Sequence, residues 1–225
     1  MDKIKKKKFR DNSKIFIRSM KKSLSELPDG ISNEAAIPAY CHPNLLIRNL
    51  FWQRIRIVFR EISNQKVENS LDFGCGTGVL LPLLADYSDN VVGYDINTSP
   101  IRALEKYINF PENIQILNGE VTPLDQIEEK FDLITSLDVL EHIPDPGKVI
   151  DNFLNLLKHR GRVIISVPTE NILYKVGRKI AGSRFSGEYH DHDAKYILNI
   201  AYQKGKVEII SNLFSLFTIF ILQKR

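Results

Sequence analysis

Cysteine is scarce: the 225-residue chain has two, Cys41 and Cys75. That excludes a disulfide framework and a cysteine-rich metal site, and it fits a reducing, cytoplasmic setting. Long apolar runs are scarce as well. None follows the Lys5–Lys8 run, so the N-terminus does not read as a secretory signal. The closing run from Leu213 to Leu222 has ten residues. It is too short to cross a bilayer as a helix and reads as a core strand, so no transmembrane segment is expected. No internal repeat is visible, and no low-complexity segment beyond the lysine run.

What is present suits a soluble globular chain, with 43% hydrophobic and 26% charged residues and enough length for one sizeable core. The charge is uneven. Net charge is +4, yet residues 1–22 hold ten Lys or Arg against Asp2 and Asp11, a local +8, so the remaining 203 residues carry −4. Residues 1–26 are therefore expected to form a flexible basic tail. Two readings stand side by side: a solvated terminus, or a surface for anionic membrane lipid, RNA or an acidic partner.

The chemistry starts in Ser70-Leu71-Asp72-Phe73-Gly74-Cys75-Gly76-Thr77-Gly78. An apolar strand stops at three glycines spaced two apart, and helix-like sequence follows from Val79 to Tyr87. Glycines there permit positive φ and let a ligand approach the backbone, while the start of a helix presents unpaired N–H groups. The turn departs from the dinucleotide fingerprint G-x-G-x-x-G and carries an acid, Asp72, that suits an amino group better than a pyrophosphate. Further on, Val91-Val92-Gly93-Tyr94-Asp95 reads as a second strand ending in an acid placed to take both hydroxyls of a ribose.

LDFGCGTG and VVGYD together resemble the first two motifs of the class I S-adenosylmethionine-dependent methyltransferases. The resemblance runs from about Ser70 to the C-terminus and takes in Leu117-Asn118-Gly119-Glu120 and the segment Phe131 to His142. It implies an α/β fold, a Rossmann-like seven-stranded sheet of order 3-2-1-4-5-7-6 with the last strand antiparallel and helices on both faces. It also implies S-adenosylmethionine as cofactor. Asp72, Gly74, Gly76 and Gly78 would face its methionine part, Asp95 the ribose hydroxyls and Glu120 the adenine amino group, with Cys75, Ile96 and Val121 also in the cofactor site. Leu137 would complete the cofactor site.

Along the chain, Leu27-Pro28-Asp29-Gly30 marks a break, and Pro38 and Pro43 bracket an irregular Ala39–His42. A helix is expected from Asn44 to Ile62, with Leu46, Leu50, Phe51, Ile55, Ile57, Val58 and Ile62 as its apolar face and Arg48, Arg54, Arg56 and Arg60 as a solvated face. Residues 27–66 thus form an N-terminal helical cap, and 67–225 a Rossmann-like core, within a single domain over 27–225. Strands are expected near 69–74, 90–95, 113–118, 131–137 and 161–167, with helices near 77–87, 98–109, 146–158 and 193–204. Two final strands, Lys206–Asn212 and Leu216–Leu222, close the sheet.

In an open parallel sheet the ligand lies at the carboxyl ends of the strands. Candidate acceptor segments are therefore Ser136–Pro146, Pro168–Asp193 and the stretch around Tyr40 and His42. His142 is the first candidate general base, and its alternative is a helix-start residue bonded to backbone. Asp138-Val139-Leu140-Glu141-His142 resembles the E-x-x-E-H element of ubiquinone-biosynthesis O-methyltransferases and small-RNA 2′-O-methyltransferases. That resemblance implies Asp138, Glu141 and His142 as ligands of a magnesium-type ion. In Glu188-Tyr189-His190-Asp191-His192-Asp193, His190 and His192 are candidate bases over the acceptor, with Asp191 or Asp193 as the alternative cap of the last helix.

The leading function is transfer of a methyl group to the oxygen of a small-molecule acceptor, a phenol, a sugar or a lipid-linked compound. An Asn/Asp-Pro-Pro-aromatic motif for amine methylation is missing after the fourth strand. The alternatives are an RNA 2′-O-methyltransferase, weakened by the lack of an interleaved aromatic-basic patch, and a non-catalytic cofactor-binding module. An NAD-dependent oxidoreductase is disfavoured by the glycine spacing.

Overall fold

The computed structural model describes residues 1–23, 37–169, 192–213 and 215–225. Seven strands form one sheet of order β3-β2-β1-β4-β5-β7-β6. They are β1 Val67–Phe73, β2 Ser88–Asp95, β3 Ile114–Asn118, β4 Phe131–Leu137, β5 Leu157–Pro168, β6 Lys206–Leu213 and β7 Phe217–Gln223. β1 and β4, β2 and β3, and β4 and β5 pair in parallel, whereas β7 runs antiparallel to both β5 and β6. This is the strand order that the family resemblance implied.

By contact the chain divides into two compact units, Met1–Glu68 with Cys75–Val121, and Asn69–Gly74 with Thr122–Arg225. The first unit opens on α1, Lys3–Ser23. The expectation of a loose basic tail is corrected over these residues. Phe16 and Met20 are fully buried, and Phe9 packs against Trp52 and Phe59 with ring centroids 6.1 Å away in both cases. Apolar residues at 9, 16 and 20 fall on one helical face, so the helix has an apolar stripe despite its mean polarity.

After the short helix α2, Ile37–Tyr40, comes α3, Leu45–Ile62, capped by Asn44, whose side chain accepts the Leu46 N–H at 2.9 Å. Ile55, Val58, Phe59 and Ile62 are buried as the periodicity requires, but Leu46 is 80% exposed. Arg54, expected in solvent, is buried: it donates to the Tyr40 hydroxyl and lies over the Tyr40 and Phe51 rings. Its aliphatic stem and flat guanidinium pack where a Lys ammonium would not.

Two helices are shorter than their periodicity suggests. α4 spans only Leu81–Ala85. The chain cannot be helical through Gly76 and Gly78, which stand at φ +52° and +72°, and Pro82 fits only the first turn. α5 is Ser99–Glu105, ended by a turn before Pro111.

In the second unit α6, Pro146–Leu156, starts with proline at its first position and is capped by Asp145, which accepts the Lys148 N–H at 3.0 Å. Its Phe153 meets Phe73 edge to face at 5.0 Å. α7, Ala194–Lys204, is capped by Asp193 through the Tyr196 N–H at 2.8 Å. β7 lies between two strands, and all its residues from Phe217 to Leu222 are buried, the pattern of a strand covered on both faces. Among the described residues no helix is long and apolar enough to cross a membrane.

Candidate active site

In the first unit the site is built at the ends of β2 and β3. After β1 the chain passes through Gly74, Gly76 and Gly78, all at positive φ, between +52° and +74°. The Cys75 N–H donates to the Tyr94 carbonyl at 3.1 Å and the Gly76 N–H to Asp95 Oδ2 at 2.7 Å, so the loop is pinned to the end of β2 by two bonds. Asp95 Oδ1 accepts the Asn97 N–H at 2.9 Å. Burial pushes the Asp95 carboxyl above the ordinary carboxylate range, while the N–H groups of Asn97, Gly76 and Ile96 work the other way. Each carboxylate oxygen keeps lone-pair capacity beyond its backbone bond.

β2 and β3 are in register with Asp95 opposite Asn118. The residues that follow these strand ends are Ile96, 67% exposed, and Val121, 78% exposed. Two large apolar side chains left in solvent beside an acid are suited to the faces of a flat, weakly polar ring. Glu120 is exposed, and its N–H donates to Asn118 Oδ1 at 2.9 Å. Gly119 has no room for a side chain, since a Cβ there would lie 2.7 Å from Tyr94 Oη.

The expectation that a helix beginning in the glycine turn offers its unpaired N–H groups is corrected. Gly78 N–H donates to the Cys75 carbonyl, and Leu81 N–H to the Gly78 carbonyl, so these donors are spent within the turn.

In the second unit, Asp72 is buried on β1, and Thr135 Oγ1 donates to its Oδ1 at 2.6 Å. This bond holds β1 against β4 at the register Asp72 to Thr135, just before the glycine turn. Leu137, half-buried, ends β4. Asp138 follows at φ +57°, a left-handed conformation that outside glycine is uncommon and falls mostly to asparagine and aspartate. It is fixed from both ends: its N–H donates to the Ser166 carbonyl at 2.8 Å, and Ser166 Oγ donates to its Oδ1 at 2.9 Å.

Residues Leu140–His142 form one 3-10 turn. Glu141 is fully buried, whereas the His142 side chain is 45% exposed, with its Nε2 3.8 Å from Glu141 Oε1. The reading of Asp138, Glu141 and His142 as a magnesium site finds no support. Among the described residues no group of three or more His, Cys, Asp or Glu side chains is arranged to hold a metal ion. The reversal at Asp138 turns its carboxylate to Ser166, and the three-residue pitch of the following turn separates a buried Glu141 from an exposed His142.

His192 joins α7 to this turn. Its N–H donates to the Glu141 carbonyl at 3.3 Å, its Nε2 lies 3.2 Å from the Pro144 carbonyl, and its ring stacks on Tyr196 at 4.4 Å. That is the placement of a clamp. His190, Glu188 and Asp191 lie outside the described residues. In the first unit His42 accepts the Asn44 N–H at its Nδ1 at 3.0 Å, and the Tyr40 carbonyl accepts from Trp52 Nε1 at 3.0 Å, so both serve the entry to α3.

A seven-stranded sheet of this order, with a glycine turn after its first strand and an acid ending its second, defines the Rossmann-like methyltransferase class. The family model described as "Methyltransferase domain" matches residues 47–219, and the chain belongs to that family.

The chain is 34% identical over 104 residues to a ubiquinone biosynthesis O-methyltransferase of Pseudomonas aeruginosa (strain UCBPP-PA14), a match covering 45% of this chain and 44% of that protein. A ubiquinone biosynthesis O-methyltransferase of Colwellia psychrerythraea is 32% identical over 132 residues, covering 55% and 52%. The chain thus spans about half the length of the curated relatives it matches. Among solved structures, the fold is similar to magnesium protoporphyrin IX methyltransferase from Synechocystis PCC 6803 with bound SAH. The TM-score is 0.63 at 22% identity, over 87% of this chain and 94% of that one.

Proposed function

We propose that this methyltransferase uses S-adenosylmethionine to methylate a hydroxyl oxygen of a small molecule. The donor's fit to the site rests on residues of the first unit. Asp95 offers carboxylate lone pairs for the two ribose hydroxyls, exposed Ile96 and Val121 would flank the purine, and Glu120 would accept from its amino group. The backbone around Cys75 and Gly76 would border the methionine part. When bound, S-adenosylmethionine supplies a methyl group already activated by its sulfonium. Asp72, buried and bonded to Thr135, is assigned the work of fixing the turn rather than touching the ligand.

The observation that carries the choice of an oxygen acceptor is His142. It is a half-exposed imidazole on the turn that follows β4, held at its backbone by the Val139 carbonyl at 3.0 Å. A hydroxyl must lose its proton as it is methylated, and a positioned imidazole takes that proton near neutral pH. The names of the curated relatives, both O-methyltransferases of ubiquinone biosynthesis, support the same reaction type.

The test is transfer of labelled methyl from S-adenosylmethionine into the small-molecule fraction of a cell extract, comparing the wild type with His142→Ala. S-adenosylhomocysteine affinity should be unchanged in the variant, and turnover should fall by about 100-fold. Label confined to RNA would overturn the small-molecule acceptor. Full turnover by His142→Ala would remove the base assignment.

A further inference from the structure

α1 carries more than the buried stripe that fixes it. On the opposite side Lys3, Lys7, Arg10, Lys14, Arg18 and Lys21 follow one another at steps of three or four residues, and all are exposed. At 100° per residue they fall within a stripe about 80° wide and about 27 Å long. Three basic residues outside the stripe are used by the fold. Lys5 Nζ donates to the Ser63 carbonyl at 2.5 Å, Lys8 pairs with Asp86 at 2.7 Å, and Lys22 lies over the Tyr107 ring at 5.4 Å. Among the described residues Lys3, Lys7, Lys14, Arg18 and Lys21 form no ion pair, and Arg10 reaches only its neighbour Asp11 at 4.0 Å. Beside the stripe stand Ile4 and Ile15, 71% and 51% exposed, on one edge because they are eleven residues apart.

We infer that this face of α1 docks on the surface of a bilayer rich in anionic phospholipid. Among the described residues the stripe meets no carboxylate beyond Arg10 with Asp11, so the anionic surface it complements lies outside them. A straight row of cations on a convex helix matches a flat array of phosphates, and two exposed isoleucines can enter the headgroup boundary beside it. Single-stranded nucleic acid is bound instead by a groove with aromatic platforms. On α1 the two phenylalanines, Phe9 and Phe16, are on the packed side. The inference is independent of the methyl acceptor.

Sedimentation of the full chain with vesicles of phosphatidylglycerol and phosphatidylcholine tests it, with vesicles of phosphatidylcholine alone and a single-stranded RNA as comparators. The wild type should bind the anionic vesicles, not the neutral ones, and should be released when salt is raised to about 0.5 M. Lys7→Gln/Lys14→Gln/Arg18→Gln/Lys21→Gln should lower that affinity about five-fold per charge removed, with its circular dichroism spectrum unchanged. Ile4→Ser/Ile15→Ser should weaken binding without altering its salt dependence. Lys195→Gln/Lys206→Gln, which removes exposed charge elsewhere, should bind like the wild type. Equal binding by the four-fold variant, no preference for anionic vesicles, or binding to RNA without binding to vesicles would each overturn the inference.

Discussion

Gly74 stands at φ +74°, and a methyl group at its α-carbon would lie 2.3 Å from Val139 Cγ2. The two penalties are separable. Gly74→Ala should cost about 1–3 kcal/mol in urea unfolding, from the left-handed backbone together with the clash. Adding Val139→Ala removes only the clash, so the double variant should lose less than the sum of the single losses. A strictly additive result would show that Val139 shifts aside without strain. Asp95 carries a prediction with a sign. Its carboxyl is held above the ordinary range by burial, so the folded protein keeps this proton to a higher pH than the unfolded chain. The charged form is thus a penalty on stability, fully present above the folded pKa and relieved as pH falls towards the ordinary value. A ribose needs the ionised form, so S-adenosylhomocysteine affinity should decline with falling pH in the range just above the ordinary Asp value. Calorimetry should find proton release on binding there. Asp95→Ala should weaken S-adenosylhomocysteine by about 1–3 kcal/mol and abolish that release. Unchanged affinity in Asp95→Ala would remove the ribose assignment.

The two histidines after β4 take different roles because different elements hold them. His192 precedes α7 and is tied to the carbonyls of Glu141 and Pro144, whereas His142 is bound at its backbone and half-exposed at its ring. His192→Ala should therefore cost about 1 kcal/mol of stability, as should loss of the α7 cap in Asp193→Ala. Neither should produce the loss of turnover expected of His142→Ala, and thermal unfolding beside methyl-transfer assays separates the two effects. A 100-fold loss of turnover in His192→Ala with unchanged stability would transfer the base to that residue. The strands were legible because β7 is apolar but for Thr218 up to Leu222, and β4 sets Phe131, Leu133, Ile134 and Leu137 in a short run, and Asp193 before α7 reads as a cap. The metal reading of Asp138, Glu141 and His142 assumed a regular helix after β4. Asp138 enters the left-handed region instead, and no local pattern announces it. Arg54 was assigned to solvent by charge alone, although a long side chain beside Tyr40 and Phe51 can be buried through its stem. α4 was overestimated because three glycines and Pro82 outweigh the leucine periodicity around them.

At the scale of the chain, charge and packing in α1 answer to different constraints. Its lysines made residues 1–26 read as a tail, since mean composition hides Phe9, Phe16 and Met20 on one face. Those three residues belong to the first unit's core, where Phe16 and Met20 are fully buried and Phe9 lies against Trp52 and Phe59. Burying each is worth about 1.5–3 kcal/mol, so together they supply an amount comparable to the about 5–15 kcal/mol that holds a whole domain folded. Deleting residues 1–23 should accordingly lower the unfolding midpoint steeply and promote aggregation through the uncovered aromatic face. Phe16→Ala alone should cost about 3–5 kcal/mol. The four-fold glutamine variant of the exposed stripe changes the charge of the same helix by the same sign and should unfold like the wild type. A truncated chain with an unaltered urea midpoint would mean that α1 rests on the surface, and the contrast with the stripe variant would disappear.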